Sequence, residues 1–182
     1  MIHAFTTRFN GLAFDLITDI QVSEAYEPTT PPDPLPIAIP AKGLWDTGAT
    51  HTSLSVGLAA KLGLVSTGKI QIDHANGSDI CDTYVVNLVL TNGITVTGIP
   101  VYASKLPAKC DVLIGMNVIN QGDFALSHEN GKTLFSFRIP SSHSVDFVKE
   151  INRNMVKAVK PNDPCICGLP KKFKKCCQHK YL

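Results

Sequence analysis

Gly43-Leu44-Trp45-Asp46-Thr47-Gly48-Ala49-Thr50 is the stretch that decides the fold. Three apolar or small residues lead into a carboxylate, followed by a hydroxyl, a glycine and a small residue. Asp-Thr-Gly is a common turn or N-cap sequence, so the tripeptide alone specifies only a loop. Its neighbourhood carries more. Downstream, Val112-Leu113-Ile114-Gly115-Met116-Asn117-Val118-Ile119 is an apolar run broken by one glycine and one amide. Between the two, Lys69 to Asp73 and Ile80 to Leu90 read as strands flanking His74-Ala75-Asn76-Gly77-Ser78, whose Asn-Gly pair favours a hairpin tip.

Working outward, the rest of the body also reads as strand. Ala4 to Phe9 and Leu12 to Val22 alternate with period two, and Asn10-Gly11 between them predicts a hairpin. Glu27 to Pro40 holds six prolines in fourteen residues, which excludes helix and central strand and predicts an extended surface loop. Ser55 to Leu62 predicts a short helix, with Ser53 or Ser55 as its N-cap. Thr91-Asn92-Gly93 predicts a turn before a strand over Ile94 to Ala103, and Phe124 to Phe137 a last hairpin turning at Asn130-Gly131. Many short strands with one or two helical turns indicate a closed, barrel-like all-β body. Val145 to Lys160 predicts a weakly amphipathic linker helix.

The two signatures and the hairpin between them resemble the retroviral-type, or retropepsin-like, aspartic proteases. Asp46-Thr47-Gly48 matches the family's catalytic loop. The 112–119 segment matches its second signature, two apolar residues, Gly, a variable residue, Asp or Asn, and two more apolar residues. Residues 72–80 stand where the family keeps its flap. The resemblance spans roughly residues 5–140. It implies an endopeptidase with Asp46, Thr47 and Gly48 as catalytic residues, and Ala49, Asp73, His74, Ala75, Asn76 and Gly77 against an extended peptide or protein substrate. It also implies that Thr47 reaches across to a partner loop.

The chemistry suits these residue types. Hydrolysis without a metal or nucleophile needs an activated water and an acid for the departing amine. Two carboxylates side by side cannot both ionise cheaply, so they hold one proton and offer base and acid together. Only one Asp-Thr-Gly exists in 182 residues. The resemblance therefore implies a homodimer with Asp46 facing Asp46 across a two-fold axis. The alternative from the same residues is a retropepsin-like dimer of little or no activity that binds peptides as an adaptor. Trp45 is read as cleft floor, core or dimer contact, Tyr84 as flap-side or buried, and His51 as incidental. Cys81 and Cys110 are read as buried or semi-buried thiols.

The C-terminal end differs in kind. Residues 1–148 carry a net charge of −5 and residues 149–182 a net charge of +7, so an acidic body bears a basic tail. Four of the six cysteines, Cys165, Cys167, Cys176 and Cys177, form C-x-C-x₈-C-C. Four thiolates at that spacing suit tetrahedral zinc, the first pair on a tight turn and the second on a short helix. His179 is an alternative to Cys177, with Cys177 favoured by spacing. Pro161 to Cys177 resembles the SEC-C zinc motif of bacterial proteins, with Cys-Gly-Leu-Pro where Cys-Gly-Ser-Gly is usual.

That resemblance implies a structural zinc, with no cofactor for catalysis, and a protein partner at the tail. Lys171, Lys172, Lys174 and Lys175 around Phe173 read as a solvated basic face rather than a nucleic-acid site. The expected organisation is a protease domain over 1–140, a linker helix over 141–160 and a zinc-binding knuckle over 161–182. With 44% hydrophobic residues, no signal-like leader and no apolar stretch of spanning length, the expectation is a cytoplasmic protein without a membrane partner.

Overall fold

Alternating apolar residues are what build the body. In the computed structural model, residues 3–74 and 77–181 are described. They divide into two units, 1–142 and 143–182. In the first, β1 (His3–Arg8), β2 (Leu16–Glu24), β3 (Ile39–Trp45) and β4 (Thr52–Ser55) precede the helix α1 (Val56–Lys61). Then come β5 (Gly68–His74), β6 (Gly77–Val89), β7 (Thr95–Ser104), β8 (Val112–Ile114), the helical turn α2 (Met116–Ile119), β9 (Asp123–Ser127) and β10 (Leu134–Ile139).

Six strands pair in the order β2-β3-β8-β4-β7-β6, and β6 pairs back onto β2, which closes a barrel. β5 hangs on β6 alone. Closure removes the unpaired edges that an open sheet would expose. Ile20, Val22, Leu54, Leu88, Val112 and Ile114 fill the core, each at most 3% exposed. Pro40 is tolerated in β3 because it pairs only with Gln21 of β2, whereas β8 engages β3 from Gly43 onward. Ser55 caps α1, its hydroxyl accepting from the Leu58 N–H, which selects it over Ser53.

One expectation fails. β1 and β2 do not form a hairpin at Asn10-Gly11; β1 pairs antiparallel with β10, Phe5 opposite Phe137, and β10 with β9. The segment after β1 instead binds Thr133: Phe9 N–H donates to its carbonyl at 2.9 Å, Ala13 N–H to its hydroxyl at 2.9 Å, and Thr133 N–H donates to Gly11 at 3.0 Å. The competing force is aromatic. Phe5 packs at centroid distances of 5.6 to 6.2 Å from Phe135, Trp45 and Phe137. A local turn preference is weaker than burying such a cluster.

In the second unit α3 (Phe147–Ala158) is started by Asp146, whose carboxylate accepts from the Lys149 N–H at 2.9 Å. A 3-10 turn (Phe173–Lys175) and α4 (Gln178–Tyr181) follow. Cys165, Phe173 and Cys177 are buried together, with Val159 and Cys176 packed against them. Among the described residues, no helix is long and apolar enough to cross a membrane.

Candidate active site and cysteine cluster

Asp46 leaves the end of β3 and its backbone is fixed from two sides. Its N–H donates to the Ile114 carbonyl at 3.0 Å, and its own carbonyl accepts from Ala49 at 3.3 Å. The carboxylate turns back on the loop, where Oδ1 accepts from the Gly48 N–H at 2.8 Å. A Cβ at Gly48 would stand 3.1 Å from that oxygen, so glycine permits the approach. Asp46 is half-buried, and Thr47 and Gly48 are exposed.

The second signature holds this loop from behind. Met116 N–H donates to Ala49 at 2.8 Å and Asn117 N–H to Thr50 at 3.2 Å. Asn117 Oδ1 accepts from both the N–H and the hydroxyl of Thr52, at 2.9 and 2.7 Å, while Gly115 N–H donates to the Thr52 hydroxyl oxygen at 3.1 Å. Asn117 also donates to the Pro100 carbonyl at 3.0 Å. Gly115 has no room for a side chain: a Cβ would meet the His51 backbone at 2.6 Å. The loop is thus locked by packing and hydrogen bonds, with its carboxylate facing outward.

Two cavities flank it. One of about 380 Å³ is lined by Phe14, Leu16, Leu44, Asp46, Thr47 and Leu126. Trp45 also borders it, yet its ring is core: it is 5% exposed, sits within 4.9 to 6.2 Å of four phenylalanine rings, and donates from Nε1 to Thr18 at 3.0 Å. The other, about 290 Å³, is lined by His51, Ile70, Tyr84, Pro100, Val101 and Tyr102 among others. Sequence reading treated His51 as incidental and left Tyr84 open. Both face this cavity, and only the barrel's register could reveal it.

Of the expected flap residues, Asp73 and His74 end β5 and Gly77 begins β6, with His74 opposite Gly77. Ala75 and Asn76 lie outside the described residues. Asp73 serves the hairpin itself, accepting from the hydroxyl of Ser78 and from Gln71. Cys110 is buried and Cys81 half-buried; burial pushes both thiols up.

In the tail the four sulfurs of Cys165, Cys167, Cys176 and Cys177 lie within 4.8 Å of one another. Cys167 is 3.4 Å from Cys165 and 3.5 Å from Cys176, and Cys176 is 3.8 Å from Cys177. Sulfurs around a tetrahedral zinc stand about 3.8 Å apart, so the donor set fits that ion in number, softness and spacing. Cys165 sits on a tight turn closed by the Gly168 N–H, and Cys176 and Cys177 both donate backbone N–H groups to the Phe173 carbonyl. A backbone N–H from Cys167 lowers the Cys165 thiol to about 6, whereas the crowded thiols push Cys176 up to about 12 and Cys177 upward.

Residues 38–118 match the family described as Aspartyl protease, and residues 162–178 the SEC-C motif. The matched part of the barrel, residues 38–118, is thus similar in sequence to the aspartyl proteases. Similar solved structures include a retropepsin-like aspartic protease from Rickettsia conorii at 16% identity and TM-score 0.46, covering 76% of this chain and 96% of that one. The Simian Foamy Virus (mac) protease is similar at 17% identity and TM-score 0.36, covering 55% of this chain and 87% of that one. The retroviral protease-like domain of Ddi1 from Leishmania major stands at 14% and 0.39, covering 65% and 93%. No curated protein sequence matches the chain. The matched segment runs from just before β3 into α2, so it contains the Asp46 loop and the elements that brace it.

Proposed function

We propose that the chain is an aspartic endopeptidase that works as a homodimer, each copy supplying one Asp46. The observation that carries this reading is the braced Asp46-Thr47-Gly48 loop, an outward carboxylate held by the Gly48 N–H and backed by residues 114–117. A single such loop per chain supplies one carboxylate, and the chemistry needs two. A water between the pair gives its proton to one Asp46 as its oxygen attacks the scissile carbonyl carbon. The other Asp46 donates its proton to the carbonyl oxygen. As the C–N bond breaks, the nitrogen takes the proton from the protonated Asp46 and a hydroxyl of the tetrahedral diol gives its proton to the other Asp46, so the pair ends with the single shared proton it began with. The paired groups titrate as one unit.

Thr47 ties the two loops, the β5–β6 hairpin with Asp73 to Gly77 closes over an extended peptide, and Ala49 borders it. Strand-like pairing of substrate backbone supplies much of the binding. In the tail, Cys165, Cys167, Cys176 and Cys177 hold a zinc whose four protein ligands leave no open position, so it contributes folding rather than catalysis. The knuckle then docks a protein partner or substrate. Six free thiols suit a reducing, cytoplasmic setting.

The test is cleavage of a diverse peptide library by the wild type and by Asp46→Asn at several enzyme concentrations. Loss of cleavage by at least a thousandfold in Asp46→Asn, with activity that falls away on dilution, supports the dimeric peptidase. A folded, dimeric, zinc-loaded wild type that cleaves nothing overturns it in favour of a peptide-binding adaptor.

A further inference from the structure

The second unit carries a surface that neither the peptidase reading nor zinc binding uses. Along α3, Phe147, Val148 and Ile151 are 69%, 70% and 55% exposed. At 100° per residue they fall on one arc of an amphipathic helix. Ile166 and Leu169 on the knuckle are also exposed. A cavity beside the start of α3 is lined by His143, Val145, Asp146, Lys149, Glu150 and Asn154, whereas the arc itself, more than half exposed at each residue, stands out as a ridge. Around it cations outnumber anions, although Asp146 and Glu150 also stand at the start of α3. Lys149 and Lys160 are exposed on and just after α3, Lys171, Lys172, Lys174 and Lys175 are exposed on the knuckle, and residues 149–182 carry +7 in total.

We infer that this unit docks on an anionic lipid surface, with the α3 ridge at the headgroup–acyl boundary and the lysines on the headgroups. An exposed apolar ridge on a unit of net charge +7, with four exposed lysines on its knuckle, suits a flat, yielding, negatively charged partner. The helix lies on the surface and does not cross: twelve residues reach about 18 Å, short of the roughly 30 Å hydrocarbon core. The expectation of no membrane partner rested on the lack of a spanning segment, which leaves surface docking untouched. The inference is independent of Asp46, so the whole test can be run on Asp46→Asn.

The test is flotation of the full, zinc-loaded chain with vesicles of phosphatidylcholine containing about a third phosphatidylglycerol, against phosphatidylcholine alone. Binding to the anionic vesicles only, weakening as salt rises from about 0.05 to 0.5 M, is the expected result. Phe147→Ser with Ile151→Ser should weaken it at least tenfold through lost apolar burial. Lys171→Gln with Lys172→Gln should weaken it about fivefold per lysine. No binding, or equal binding to both vesicles, overturns the inference. So does capture by polyglutamate without vesicle binding, which would make the tail an acidic-protein site. A larger oligomer that the serine pair dissociates, again without vesicle binding, would show that a second copy covers the ridge.

Discussion

Gly115 shows how little freedom the site allows a single residue. Its φ is ordinary, and it is glycine only because His51 and Ala49 backbone atoms occupy the space a Cβ would need. Gly115→Ala should cost about 3 kcal/mol of stability, at the upper end for overpacking, measured by urea unfolding. Thr52 is fully buried and both donates to Asn117 and accepts from Gly115. Thr52→Val should cost about 1–3 kcal/mol, because it leaves the Gly115 N–H without its partner. His51 borders the apolar cavity five residues from Asp46, which makes it a candidate selector of substrate side chains. His51→Ala should change which peptides are cleaved while total turnover changes less than about tenfold, read from the same library. The placement of the Asp46 loop and of the 112–119 segment behind it was legible because their motifs are local in sequence. Those of His51, Tyr84 and Tyr102 were not, since only strand register brings them to one cavity.

Among the elements, α1, the β5–β6 hairpin and the β9–β10 hairpin follow from caps and Asn-Gly turns that act over a few residues. The β1–β10 pairing had no such signal, because its partners are more than a hundred residues apart. Asn87 was equally hidden: it is buried at an irregularity between β6 and β7, where its side chain accepts from Gly98 at 2.8 Å and donates to Tyr26. The end of β10 is clamped by Asp123. Its carboxylate accepts from the Ser141 hydroxyl, the Ser142 N–H and the Arg138 guanidinium, in that order of effect, and is held well below the usual carboxylate range. A depressed folded-state value stabilises above the ordinary Asp value near 3.9, and the gain is lost as pH falls below it. Asp123→Asn should therefore lower the melting temperature at pH 7, and the gap from wild type should shrink as pH drops through about 4 towards 2, followed by circular dichroism.

At the scale of the whole molecule, the division at residue 142 separates two kinds of stability. The barrel relies on a large apolar core, whereas among the described residues of the second unit only a handful are buried, around its sulfurs. Chelation should release protease cleavage sites within residues 161–177 and leave the barrel's melting transition within about 1 °C of its untreated value, by limited proteolysis and calorimetry. Zinc:protein stoichiometry by mass spectrometry should be one per chain, and Cys176→Ser should abolish it. The pairing of β1 with β10 has a consequence for the order of events in folding. The first strand made finds its partner only after the last strand of the body exists, so the contact that completes the body is also its most distant one. Until then Phe5 and one side of the Trp45 ring stay wet. Trp45 is the sole tryptophan in the chain, which makes its emission a clock for that closing step. In refolding from urea, far-ultraviolet signal should recover before tryptophan emission does, with the later phase on the millisecond-to-second scale of non-local β topologies.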